Sequence, residues 1–176
     1  MRSLLLCGAV LLGVTSLAGA EDFEFAYEGD AKKRERLKGL QGSTNPPALQ
    51  LTGWANAKGM SKKKMKGKII VLDFWATWCG PCIRSIPHNN ELAETYKDDV
   101  VFIGVCHPKG ADKMKQVMRE HDIRYPIAVD ADGKTIAAYK VNGYPDYYIF
   151  DRAGKLVVAD CANSKVGEVL AKLVAE

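Results

Sequence analysis

The rhythm of hydrophobic and polar positions changes along this chain, and each change marks an element. Ile69–Trp75 is a continuous apolar run broken by one acid, Asp73, the pattern of a strand buried on both faces. Val100–Val105 reads as a second buried strand. Between them Gly80-Pro81 opens a helix that runs to about Tyr96. Ala111–His121 sets Met114, Val117, Met118 and His121 on one helical stripe. Val166, Val169, Leu170, Leu173 and Val174 give a terminal amphipathic helix. Asp130-Ala131-Asp132-Gly133 is a turn. Tyr147–Phe150 and Leu156–Ala159, joined by Asp151-Arg152-Ala153-Gly154, read as a β-hairpin. This alternation predicts an α/β sheet covered by helices on both faces.

Upstream the pattern is weaker. Leu49–Trp54 alternates enough for a strand, and Asn45-Pro46-Pro47 punctuates the boundary before it. Residues 21–45 are charged and turn-rich. Asp30 is placed to cap a short helix over Ala31–Leu40, closed by Gly42, whose thin apolar content predicts a peripheral element. The lysine-rich run from Lys58 to Lys68 reads as a solvated loop. Residues 1–20 differ in kind: Arg2, a short apolar run from Leu4 to Leu17, then Ala18-Gly19-Ala20 followed by Glu21-Asp22. A charged start, a greasy middle and a small-residue exit describe a secretory signal cleaved after Ala20. The run falls short of the about 20 apolar residues that span a bilayer. Cys7 leaves with the signal, so the mature, soluble chain keeps Cys79, Cys82, Cys106 and Cys161 in an oxidising compartment.

Composition narrows the classes. The 176 residues are 47% hydrophobic and 26% charged, which fits one folded domain and excludes a disordered chain. A net charge of +4 with no concentrated basic face argues against a nucleic-acid partner.

The chemistry lies where the first buried strand hands over to its helix, at Trp78-Cys79-Gly80-Pro81-Cys82. Cys79 falls at the helix N-terminus, where unpaired N–H groups and the helix dipole favour a thiolate. Two intervening residues let Cys82 fold back within disulfide reach, and Pro81 has no N–H to leave unpaired in the first turn. Structural zinc would need further ligands, and no second CxxC or HxxxH exists, so neither metal nor cofactor is expected. Asp73 has apolar neighbours at both parities of its strand. Burial should therefore raise its pKa and make it a proton acceptor near neutral pH. His88, His107 and His121 read as structural.

These residues resemble the thioredoxin superfamily. Val71–Cys82 looks like its active-site strand and turn. Val101-Phe102-Ile103-Gly104-Val105 resembles the following strand of exported TlpA/ResA-like thiol–disulfide oxidoreductases. Residues from Val129 to Asp151, including Val141-Asn142-Gly143-Tyr144-Pro145, look like their extra strand and helix and the cis-proline loop. The resemblance covers residues 46–176 and leaves 21–45 as an extension. It implies a thioredoxin fold: three α/β/α layers on a mixed sheet, with an N-terminal extension and a strand–helix insertion.

It also implies roles. Cys79 would be the attacking nucleophile, Cys82 the buried resolving cysteine, and Asp73 the acid that assists its deprotonation. Pro145 would be a cis-proline that holds substrate backbone beside Trp78 and Tyr144, and Pro87 the proline that kinks the active-site helix. Two departures stand out. Many relatives have a glutamate after the second strand, where this chain reads His107-Pro108-Lys109, and a small β-branched residue where it has Tyr144. Cys106 and Cys161 stay open between inert thiols, an accessory role and a bridge, which the family's strand order disfavours. The implied activity is reduction of disulfides in exported proteins by a monomer in the periplasm or another extracytoplasmic space, fed by a membrane or exported thiol donor. Two rivals are a thiol-dependent peroxidase and a copper chaperone. The first uses Thr-x-x-Cys, whereas Thr77 stands two before Cys79; the second prefers a wider cysteine spacing.

Overall fold

The computed structural model describes residues 20–176, so the signal predicted for residues 1–20, with Cys7, lies outside the described residues but for Ala20. The α-helices and strands in chain order are α1 (Ala31–Leu37), β1 (Thr52–Ala55), α2 (Lys62–Met65), β2 (Ile69–Trp75), α3 (Gly80–Thr95), β3 (Val100–Cys106), α4 (Met114–Glu120), β4 (Ile127–Val129), α5 (Lys134–Ala138), β5 (Asp146–Phe150), β6 (Leu156–Cys161) and α6 (Val166–Ala175). Short 3-10 turns at Ala20–Ala26, Ala111–Lys113 and Asn163–Lys165 lead into or between them.

The strands form one sheet in the order β1-β4-β3-β2-β5-β6. β2 runs parallel to β3 and antiparallel to β5, and β3 runs parallel to β4. β6 closes one edge and β1 the other, both antiparallel to their neighbours. The sheet is therefore mixed, and β2 sits inside it with every residue buried. That burial is why its sequence lacks alternation: both faces meet a helical layer. Ile69, Val71 and Trp75 join Cys82, Ile86 and Leu92 of α3, Val117 of α4 and Val169, Leu170 and Leu173 of α6 in one core. Ile70, Leu72 and Phe74 point the other way, into a second core with Leu37 of α1, Tyr139, Tyr148 and Leu156. This is the three-layer α/β thioredoxin architecture that the sequence implied.

The departures have physical causes. The lysine-rich run holds the single helical turn α2, because Met60 and Met65 are partly buried against the second core and draw the backbone in. The first strand lies at Thr52–Ala55 rather than Leu49–Trp54. Leu49 and Leu51 pack on the second core instead, and a bulge between Thr52 and Ala55 interrupts the ladder. The predicted peripheral helix ends at Leu37, and a turn carries the chain on to Leu40; both leucines are buried in the second core. Phe23 and Ala26 are fully buried in the first core. Residues 23–40 thus contribute to both layers.

Candidate functional site

Cys79 is the N-cap of α3, its backbone still extended at φ −88°, ψ 101°, while the helix begins at Gly80. Its sulfur accepts a hydrogen bond from the Cys82 N–H (3.1 Å), one of the donors that a helix start leaves without an intrahelical partner. Cys79 and Cys82 are joined as a disulfide (S–S 2.04 Å). Both are largely buried, with Cys79 at 5% and Cys82 at 4% exposure, so Cys79 is scarcely the more open of the two. The helix that carries them holds Pro87 within it, which removes one backbone N–H from its ladder.

Asp73 lies beneath that helix. Its Oδ2 accepts hydrogen bonds from Asn89 Nδ2 of α3 (3.0 Å) and from the Tyr125 hydroxyl (3.2 Å), and Asn89 Nδ2 also donates to the Tyr147 hydroxyl (3.1 Å). Oδ1 makes no hydrogen bond. Burial pushes the carboxyl up to about 7, against the lowering pull of Tyr125 and Asn89. Cys82 and Asn89 stand seven residues apart on α3, hence on one face, and both are buried.

Above the disulfide the loop after β3 clamps the active-site turn. Thr77 Oγ1 donates to the Gly110 carbonyl (2.9 Å) and Trp78 Nε1 to the Lys109 carbonyl (3.0 Å). The Lys109 N–H is in turn held by His107 Nδ1 (3.0 Å). Gly110 has φ +84°, and a Cβ there would come within 2.5 Å of Thr77 Oγ1, so only glycine permits this approach. Trp78, 54% exposed, meets His107 and Tyr144 edge to face, with ring centroids 5.5–5.9 Å apart among the three. Burial raises the Tyr144 phenol to about 12 and keeps it neutral. The Tyr144–Pro145 peptide bond is cis. A buried disulfide at a helix N-terminus, a buried acid beneath it and an aromatic rim above it therefore share one end of the sheet.

The AhpC/TSA family profile matches residues 45–159. The chain is 32% identical to the thiol–disulfide oxidoreductase ResA of Bacillus cereus over 142 residues, covering 80% of this chain and 79% of that one. It is also 32% identical over 118 residues to the thiol–disulfide oxidoreductase YkuV of Bacillus subtilis, covering 62% of this chain and 80% of that one. The chain belongs to the AhpC/TSA family.

Solved structures agree. A thioredoxin-like superfamily protein superposes with a TM-score of 0.65 at 26% identity, covering 74% of this chain and 96% of that one. A thiol–disulfide isomerase from Corynebacterium glutamicum shares the fold, with a TM-score of 0.67 at 23% identity over 76% of this chain and 97% of its own. With its cysteine pair disulfide-bonded and its kinship to ResA, this AhpC/TSA member is a thiol–disulfide oxidoreductase.

Of the residues singled out from sequence, Cys79 and Cys82 form the disulfide, Trp78 of the same turn meets Tyr144, which a cis peptide bond joins to Pro145, and Asp73 lies in the core, bonded to Asn89 of α3. Cys106 and Cys161 are free and buried on β3 and β6, which β2 and β5 separate. Burial raises both thiols, Cys106 to about 12, which leaves them protonated. Among the described residues no group of three or more His, Cys, Asp or Glu is placed to hold a metal ion, and no helix is long and apolar enough to cross a membrane. Sequence reasoning missed Asn89, Tyr125 and Tyr147 around Asp73, and His107 in the aromatic rim. No motif links those positions: strand register sets Tyr147 opposite Asp73, while Asn89 comes from α3 and Tyr125 from the segment before β4.

Proposed function

We propose that the protein reduces disulfides of exported proteins, with Cys79 as nucleophile, Cys82 as resolving thiol and Asp73 as its base. The observation that carries the reading is Cys79 as the sulfur that caps α3. Reduced, this position offers a thiolate the Cys82 N–H and the positive end of a helix dipole. The Cys79 thiolate attacks one sulfur of the substrate disulfide, forming a mixed disulfide and expelling one substrate thiolate. The Cys82 thiol passes its proton toward Asp73 and attacks the Cys79 sulfur. The Cys79–Cys82 disulfide forms, the second substrate thiolate leaves, and two electrons have moved to the substrate. A thiol donor in the same compartment returns the pair to the dithiol. Trp78, Tyr144 and Pro145 form the surface on which the substrate chain lies. The leader pattern at residues 1–20 supports export, and the Gly-Pro dipeptide supports the reducing direction.

Insulin reduction with dithiothreitol tests this. Cys79→Ser should abolish it, and Cys82→Ser should accumulate a mixed disulfide on Cys79. Full activity in Cys79→Ser would end the assignment. Peroxide consumption by the same dithiol serves as the opposing assay. The position three before Cys79, where a peroxidatic threonine would stand, is Ala76, and Thr77 is engaged with Gly110.

A further inference from the structure

The N-terminal extension and the segment leading into Pro145 meet at a buried cluster of charge. Asp146, the residue after Pro145, is fully buried, and Asp160 on β6 is 2% exposed. Lys33 of α1 reaches both: Nζ donates to Asp160 Oδ1 and lies 3.6 Å from Asp146 Oδ2. Neither oxygen of Asp146 has a hydrogen-bond partner, so Lys33 is the cation that makes its burial tolerable. Burial pushes the Asp146 carboxyl up, with Lys33 opposing and the neighbouring Asp160 and Glu28 adding to the rise. The Tyr148 hydroxyl, also nearby, is committed to the Tyr139 carbonyl.

The backbone is shaped around this contact. The Asp30 cap fixes the Lys33 N–H at 2.9 Å, and the Glu28 N–H bonds the Asp160 carbonyl. A Cβ on Gly29 would sit 2.5 Å from Asp160 Oδ2 and 2.6 Å from the Lys33 side chain. Two more links tie the same helix to the same loop: Arg36 donates to Asn142 Oδ1 (2.7 Å), and Lys140 Nζ donates to the Arg36 carbonyl (2.9 Å). Lys33, Arg36 and Asp160 all lie outside residues 45–159, the span that the family profile matches.

We propose that α1 is a strap behind the Tyr144–Pro145 segment, and that Lys33 is a positioning residue which, through Asp146, sets that segment against Trp78 and the Cys79–Cys82 pair. The strap governs how the enzyme holds a polypeptide substrate, not the sulfur chemistry. A protein disulfide must lie along the 144–145 backbone, whereas a small aromatic disulfide needs only the Cys79 sulfur.

This rests on the oxidoreductase reading, and the assay separates the two. Insulin and 5,5′-dithiobis(2-nitrobenzoate) are reduced by wild-type protein, Lys33→Met, Lys33→Arg and the double variant Arg36→Ala/Lys140→Met. Lys33→Met should raise KM for insulin about tenfold, in the range of couplings between neighbouring charged groups. Its rate on the small disulfide should stay within twofold, and Lys33→Arg should restore most of the insulin KM. The double variant, at exposed links, should raise the insulin KM about threefold and carries the test alone if Lys33→Met does not fold. An unchanged insulin KM in the folded variants, or an equal loss on both substrates, overturns the strap. A wild-type protein inactive on both substrates overturns the oxidoreductase reading instead.

Discussion

Asp73 is held in place by two donors and almost no water. Its pKa, raised to about 7 by burial, couples folding to pH in a definite direction. An unfolded aspartate titrates near 4, so the unfolded chain gives up this proton at lower pH than the folded one. The stability associated with it is complete below about pH 4 and is lost as pH rises through about 7. Asp73→Asn keeps the shape and removes the titration. Urea denaturation at pH 5 and pH 8 should show wild-type protein losing on the order of 3 kcal/mol relative to Asp73→Asn between the two. A difference that does not move with pH would show the carboxyl to be charged in the fold throughout. The same variant should slow resolution by Cys82 at pH 7 by about tenfold or more and accumulate mixed disulfide, read by quench with acid and mass. That Asp73 is buried was legible from one strand, since both parities of Ile69–Trp75 are apolar. Its partners were not, because Asn89, Tyr125 and Tyr147 come from three other segments and have no spacing in common.

Among the elements, β2 and β3 were legible as unbroken apolar runs, α3 from its Gly80-Pro81 start, the β5–β6 pair from its turn, and α6 from its helical period. β4 has only three residues and α5 only five, too short for a period to register, and α2 is a single turn whose flanking and terminal methionines, Met60 and Met65, pack on the second core. What makes the β3 register work is a side chain that is absent. Gly104 pairs with Asp73, and a Cβ there would lie 3.0 Å from Ile127 Cγ1 and 3.2 Å from both Trp75 Nε1 and the Tyr125 ring. The glycine lets Tyr125 reach over the strand to the Asp73 carboxylate. Gly104→Ala should therefore cost about 1–3 kcal/mol in denaturant unfolding through overpacking. It should also displace the Tyr125 hydroxyl, so that the Asp73 pKa, followed by pH titration of the carboxyl carbon resonance, rises above that of wild type. An unchanged carboxyl titration would separate the glycine from the acid.

At the scale of the whole molecule the question is what a domain cut at residue 45 would be. The family match begins there, and charge and turn residues made the preceding stretch look peripheral. Yet Phe23 is fully buried in one core, while Leu37 and Leu40 are 3% and 6% exposed in the other. Each such side chain is worth roughly 2 kcal/mol of burial, against about 5–15 kcal/mol for a whole domain. The Gln41 side chain also bonds the Val157 carbonyl and the Ala159 N–H, and Tyr27 bridges to Cys161, so the extension covers β6, an edge that would otherwise lie open. Removing it exposes its own contacts and theirs, and strips Lys33 from Asp146 and Asp160. A protein starting at residue 46 should lose about 5 kcal/mol or more in urea, if it remains soluble at all. The reference for that loss is a protein starting at residue 21. Equal denaturation midpoints for the residue-46 and residue-21 proteins would show the extension to be an ornament on the fold. A large gap would make residues 23–41 part of the domain, with the redox site built on more of the chain than the family profile matches.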